Sequence, residues 1–261
     1  MAGELARLAT HVAYTDEAQY NTGRYRGLGM VSARAEDGGA LGVEVLRLLE
    51  ASGVAECKWE KLRSARTRFV AEKLLDWATA AALSGRLRVD VLTWDTEDGT
   101  RAGTGLPHLT NLRRMYAHLL EAILPSRWPD TDRWHIYPDE QGAMGWERLA
   151  ARLPHIIAIA PCRSDAEPLI QVADLFAGLG VYSRSGYDTY ERWLCLSPAE
   201  RSGGDRLPGL ALSASDRVRC HILDDFFTRC KLLELSVSLR THRGLRTYGM
   251  AAPLAFHWYT K

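Results

Sequence analysis

Short β-branched and aromatic runs alternate along this chain with segments of helical apolar spacing, and that alternation constrains the fold more than any other feature. Residues 10–15 (THVAYT) read as a strand that delivers Asp16 and Glu17 at its end. Asn21, Thr22 and Gly23 supply a turn, residues 24–33 return as a second strand, and AEDGG at 35–39 closes the pair as a loop. Leu41, Val45, Leu48 and Leu49 predict a helix over 41–51, VAECK at 54–58 a brief third strand, and residues 64–83 a longer helix ended by Gly85. Residues 86–95 alternate as a strand, and 96–107 have no periodicity and read as a loop. A helix over 109–124 gathers Leu112, Met115, Leu119, Leu120 and Ile123 on one face. Strands over 134–140 and 155–160 follow, then a helix over 168–182 with Pro168 in its first turn. This order predicts a mixed α/β domain.

From residue 197 to 213 the composition shifts to Ser, Gly and Pro, which predicts a boundary between a core, 1–196, and a C-terminal appendage, 197–261, with a helix over 216–235 and LAFHWY as a terminal strand. With 46% hydrophobic and 25% charged residues, 261 in all, the chain is an ordinary folded protein. Lys and Arg number 33 against 32 Asp and Glu, so binding to nucleic acid needs a local patch, since no overall field exists. The five cysteines are scattered without a C-x-x-C pair, which argues against a disulfide scaffold or a zinc knuckle and fits a reducing cytoplasm. Glu4 and Arg7 interrupt the start, so no secretory leader is expected, and no apolar run is long enough for a membrane span.

Three acidic motifs sit at element boundaries: Asp16-Glu17, Asp139-Glu140, and Asp174 within a helix. Carboxylates from separate segments can hold a hard divalent cation, one or two of them sufficing with substrate phosphate. Each motif alone reads more readily as solvated acids, so their convergence is what matters. On the 168–182 helix, Glu167, Gln171, Asp174 and Gly178 form one narrow stripe opposite Leu169, Val172, Ala173 and Phe176, as a surface helix with a wet polar face also would. No phosphate-binding G-x-x-x-x-G-K-[ST] loop, G-x-S-x-G elbow or H-E-x-x-H helix is present.

Y-T-D-E at 14–17, E-C-K-W at 56–59, D-E at 139–140 and S-D-A-E-P-L-I-Q-V-A-D-L-F-A-G at 164–178 resemble the bacterial family called domain of unknown function 3800. Order and spacing agree over residues 12–185, and the Q-V-A-D-L helix is the most specific piece. Ala18-Gln19 stand where that family commonly has Ser-Gly. The resemblance implies a ribonuclease H-like mixed sheet flanked by helices and a metal-dependent nuclease. It implies Asp16, Asp139 and Asp174 as ligands of Mg²⁺ or Mn²⁺, Glu17 and Glu140 as second candidates, and Gln171 as a residue orienting a ligand or phosphate.

Glu56 and Lys58, two apart on the expected third strand, share a face: Glu56 as a further carboxylate and Lys58 on a phosphate, or the two as a surface salt bridge. Lys61, Arg63, Arg66, Arg68 and Lys73 form a basic patch for nucleic acid, and Arg240, His242, Arg243 and Arg246 with Tyr248 a second; either is also readable as a solvated face. The expected function is metal-dependent phosphodiester hydrolysis of RNA or DNA. The alternative is a catalytically silent ribonuclease H-like module that binds nucleic acid or a protein partner, and a glycosidase using two of the carboxylates is a third reading. The Trp-rich end with His257, Trp258 and Tyr259 offers a homo-oligomer interface.

Overall fold

Strands β1 (His11–Ala18) and β2 (Tyr25–Arg34) form an antiparallel pair, with Asp16 opposite Gly29. The computed structural model describes residues 9–19, 21–97, 107–128, 133–140, 144–201, 212–249 and 251–259. Most of the expected 96–107 loop and of the expected boundary therefore lies outside the described residues. Strand β3 (Leu87–Asp95) continues the meander antiparallel to β2, while β4 (Trp134–Pro138) runs parallel to β1 and β5 (Ile156–Ile159) parallel to β4. With β8 (Leu254–Trp258) the sheet order is β5-β4-β1-β2-β3-β8. An antiparallel three-strand meander extended past β1 by two parallel strands is the ribonuclease H-like mixed sheet.

The sheet is covered on both faces, and its period-2 alternation sorts the two cores. Val12, Tyr14, Val31, Val89 and Val91 pack under α1 (Ala35–Ala51), α2 (Ala65–Leu83), α6 (Pro168–Ser185) and α9 (Ala214–Leu232). Ala13, Leu28, Met30, Leu92 and Ile136 pack under α3 (His108–His118) and α5 (Trp146–Ala150). Helix α3 runs through a π-turn, Leu119–Ile123, into α4 (Leu124–Arg127). Pro125 lacks an N–H and its ring crowds the carbonyl one turn back, and the widened turn accommodates both.

Three expectations change. AEDGG is not a loop but the start of α1, with Glu36 and Asp37 in the first turn, where the helix dipole favours acids. Residues 54–58 form no strand; a 3₁₀ turn (Trp59–Lys61) follows them, and Ser64 and Thr67 then form a reciprocal capping box that starts α2. Helix α6 is no surface helix, since every residue from Pro168 to Ser183 is buried. It lies so close to β2 that a Cβ at Gly29 would stand 2.2 Å from the Ala173 carbonyl oxygen.

The C-terminal stretch shares the sheet and the core. Strand β8 lies parallel to β3, Val89 opposite Leu254, and Phe256 meets Phe226 at 5.7 Å and Phe176 at 6.4 Å between ring centroids. An apolar strand with no pairing partner of its own takes the open edge of β3. Helices α7 (Tyr187–Leu194) and α8 (Pro198–Arg201) lead out from α6, and β6 (Val237–Ser238) with β7 (Arg246–Thr247) makes a small ribbon. A fully buried ion pair, Arg127 Nε to Asp90 Oδ1 at 2.8 Å, ties α4 to β3, and His257 Nε2 reaches the same oxygen from β8. Among the described residues no helix is long and apolar enough to cross a membrane.

Candidate functional site

The pleat of β1 sends its two terminal acids to opposite faces. Glu17 goes to the α3 side, where Tyr116 Oη donates to its Oε1 at 2.6 Å. Asp16 goes to the α6 side and joins Asp139, which follows β4 and donates its backbone N–H to Thr15 O at 2.8 Å. Between the two carboxylates stands Lys58, its Nζ 3.3 Å from Asp16 Oδ2 and 3.2 Å from Asp139 Oδ2.

Lys58 is held there by the polar stripe of α6. Cys57 N donates to Gln171 Oε1 at 2.9 Å, Trp59 N donates to Asp174 Oδ2 at 2.6 Å, and Gln171 Nε2 donates to Ser164 O at 2.9 Å. One turn on, the Trp59 ring fills the space that a Cβ at Gly178 would take, 2.1 Å from the Trp59 Cγ. Helix side chains thus accept the N–H groups of Cys57 and Trp59, where a neighbouring strand would otherwise do so. Asp16, Asp139, Asp174 and Lys58 line one cavity of about 420 Å³, walled by Trp59 and Tyr182.

Arg219 lines the same cavity, coming from α9. It donates to Trp59 O at 3.3 Å and lies 5.7 Å from the Trp59 ring centroid and 5.9 Å from that of Tyr182. Neither Arg219 nor Tyr116 is marked by any motif. Tyr116 adjoins an apolar helix face and reads as core; Arg219 lies beyond the Ser/Gly/Pro stretch, in what reads as an appendage.

Burial raises the Asp16 carboxyl well above the ordinary range, and Asp174 raises it further; Lys58 opposes, while Asp139 and Glu17 add to the rise. Asp174 is pushed up to about 6 by burial, against the Trp59 N–H and Lys58, which favour its ionised form. Burial pulls Lys58 down, but Asp16, Asp174 and Asp139 outweigh it and hold the ammonium above its ordinary value. The cavity is thus short of positive charge: Asp16, Glu17, Glu60, Asp139 and Asp174 line it together with Lys58 and Arg219.

The carboxylate oxygens of Asp16, Asp139 and Asp174 have the chemistry a hard divalent cation requires, and one or two of them with substrate phosphate make a sufficient set. Among the described residues no group of three or more His, Cys, Asp or Glu side chains stands ready as a cage. Lys58 bridges two of the carboxylates and Trp59 N occupies an oxygen of the third.

Other expected residues fall elsewhere. Glu56 does not share a strand face with Lys58; it accepts from Lys61 Nζ at 2.6 Å and from Ser164 Oγ at 3.1 Å, and the Lys61 bond lowers its carboxyl below the usual range. Glu140 is exposed and does not line the cavity. The patch around α2 is partly spent: Lys61 on Glu56, Arg66 on the Gly53 carbonyl at 2.7 Å, and Arg68 on Glu72 at 3.3 Å, while Arg63 is exposed. In the second patch Arg243 pairs with Asp188 and Glu191, and His242 bonds Tyr248.

No family model matches the chain. A chain in the structure of the PCNA:RNase HII complex from Archaeoglobus fulgidus aligns over 84% of this chain and 89% of its own, at 18% identity and a TM-score of 0.40. Two proteins of Methanothermobacter thermautotrophicus, uncharacterized protein ORF2' and uncharacterized protein ORF2, are 37% and 34% identical over 269 aligned residues, which cover 94% of this chain and 93% of each relative. With that identity sustained over nearly the whole of both partners, the chain belongs to the family of these two Methanothermobacter proteins.

Proposed function

We propose that the chain is a divalent-metal-dependent nuclease acting on RNA or DNA in a reducing cytoplasm, the activity that the resemblance to the domain of unknown function 3800 family implies. The observation that carries this reading is the meeting of Asp16, Asp139 and Asp174, from three separate elements, in one polar cavity with Lys58. Asp16, Asp139 and Asp174 are the residues that would hold Mg²⁺ or Mn²⁺. Bound there, the ion would polarise a phosphoryl oxygen and lower the pKa of a water molecule. Lys58 and Arg219 supply the chain's own positive charge for a phosphate, Lys58 as a compact ammonium and Arg219 as a planar fork. Trp59 and Tyr182 wall the cavity and give a nucleobase or sugar an aromatic surface. The five free cysteines accord with a reducing compartment.

One observation favours the alternative, a silent ribonuclease H-like binding module: Lys58 already forms ion pairs with both Asp16 and Asp139. Cleavage of labelled single- and double-stranded RNA and DNA with Mg²⁺ or Mn²⁺, in wild type, Asp16→Asn and Asp174→Asn, decides between them. Metal-dependent cutting that both variants lose supports the nuclease; salt-sensitive binding with no cutting under any condition supports the module.

A further inference from the structure

A second and larger cavity, about 1100 Å³, opens on the other face of the sheet between α3, α5, the end of β5 and Tyr259. Four arginines line it, Arg113, Arg114, Arg148 and Arg152, against Glu121 and Glu147. Among the described residues Arg148 is exposed and has no ion-pair partner, and Arg152 pairs with Glu121 at 3.6 Å, its own side chain 71% and that of Glu121 43% exposed. Such an exposed pair contributes little and leaves the guanidinium available. The other two are fixed along one wall: Arg113 Nε donates to Met144 O at 2.8 Å, and Arg114 lies 6.0 Å from the Tyr259 ring centroid.

Two further observations relate this cavity to the acidic one. Trp146, 8% exposed, lines this cavity. Its ring stands edge-on to Tyr116 with centroids 4.8 Å apart, and Tyr116 is the residue that donates to Glu17, next in the chain to Asp16. Trp146, Tyr116 and Glu17 therefore form a chain of contacts from the arginine-lined cavity to the acidic one. Asp139, which lines the acidic cavity, is joined to Met144, which lines this one, by the short connection from β4 to α5.

We infer that this cavity is a second nucleic-acid site, which holds the phosphodiester backbone of a single strand running on from the acidic cavity. The inference rests on the nuclease reading only for what happens at the acidic end. Guanidinium groups carried by α3 and by α5 and its C-terminal end grip successive phosphates, and the partly exposed ring of Tyr259 gives the bases an aromatic border, the combination that sequence-tolerant strand binding uses. A strand long enough to reach both cavities binds better than one that fills the acidic cavity alone.

The test is fluorescence anisotropy with a dye-labelled trinucleotide and a dye-labelled long single strand, of RNA and of DNA, in chelator so that nothing is cut. Wild type is compared with Arg148→Ala/Arg152→Ala and with Arg47→Glu, a reversal at an exposed residue of α1 that changes the net charge by the same amount. The double variant is expected to weaken the long strand about tenfold or more and to lower the slope of log affinity against log salt by about 1.4, with the trinucleotide and the Arg47→Glu control unchanged. Long-strand affinity and salt slope equal to wild type in the double variant would overturn the inference, as would a wild type that binds no strand longer than the trinucleotide any better. Both arginines are exposed, so circular dichroism should report an intact fold. If metal-dependent cleavage is absent but the arginine dependence holds, the nuclease reading falls and the second site stands.

Discussion

Gly178→Ala and Gly39→Ala introduce the same methyl group into two helices, and the structure gives them opposite signs. Gly39 lies in α1, where a Cβ would meet nothing within 4 Å. Only the helix-propensity term remains, so Gly39→Ala should stabilise by roughly 0.5–1 kcal/mol. At 178 the new Cβ would lie 2.1 Å from Trp59 Cγ and 2.5 Å from Cδ1 and Cδ2. Carbon atoms rest at roughly 3.5–4 Å, so the indole must move by more than an ångström. It has little freedom to do so: its backbone N–H is bound by Asp174, and Tyr182 and Arg219 flank its ring. Overpacking of this kind costs about 1–3 kcal/mol, and the shortness of the contact puts it at the upper end. Offset by about 1 kcal/mol of helix propensity, the net effect is a loss of about 2 kcal/mol. Urea unfolding followed by circular dichroism measures both variants against wild type. A Gly178→Ala protein as stable as wild type, or stabilised as Gly39→Ala should be, would refute the claim that residues 57–59 are docked on this stripe.

Asp174 makes stability fall as pH rises: its folded pKa of about 6 lies above the ordinary 3.8, so between those values the folded state holds a proton that the unfolded chain has lost. The window is pH 4 to 6 and the loss above it is on the order of 2–3 kcal/mol, so Asp174→Asn should gain on wild type as pH rises through it. Parallel melting temperatures against pH for the two proteins would contradict this. Arg127→Met leaves Asp90 buried without its guanidinium and should cost about 3–5 kcal/mol, measured by urea unfolding; a loss below about 1 kcal/mol would show that the ion pair does not hold β3 and α4 together. Tyr116→Phe removes the hydroxyl that donates to Glu17 and should cost about 1–3 kcal/mol in the same assay; an unchanged midpoint would mean that Glu17 finds another donor.

Much of the fold was legible because the β-branched runs and the helical spacing of α1, α2, α3 and α6 are strong local signals. Asp16, Asp139 and Asp174 stand out in the sequence as acidic motifs, but only the resemblance groups them, since two are acids at strand ends and Asp174 is an acid within a helix. Residues 54–58 misled because alternation alone cannot tell a strand from an extended segment satisfied by side chains, here Gln171 and Asp174. Helix α6 misled in the other direction: its polar stripe reads as a wet face, but it is dry because residues 57–59 lie on it. Asp16 and Glu17 read as a pair, and only the pleat of β1 assigns one to Lys58 and the other to Tyr116. The arginine-lined cavity escaped notice because Arg113, Arg114, Arg148 and Arg152 form no run; α3 and α5 bring them together across a gap in sequence that no charge pattern spans.

The double duty of Asp174 has a consequence for how the acidic cavity works. One of its oxygens accepts the Trp59 N–H, and that bond helps fix the segment that carries Lys58 between Asp16 and Asp139. The same carboxylate raises the pKa of Asp16 and lines the cavity. Removing its charge therefore alters the electrostatics directly, whereas removing its hydrogen bond alters them through Lys58. Asparagine keeps an oxygen that can accept from Trp59 N and alanine does not, so these two substitutions separate the effects. The cavity's surplus of negative charge is compensated by an ammonium on a docked coil. The position of that coil, as much as the three aspartates, determines how strongly the cavity attracts a cation or a phosphate.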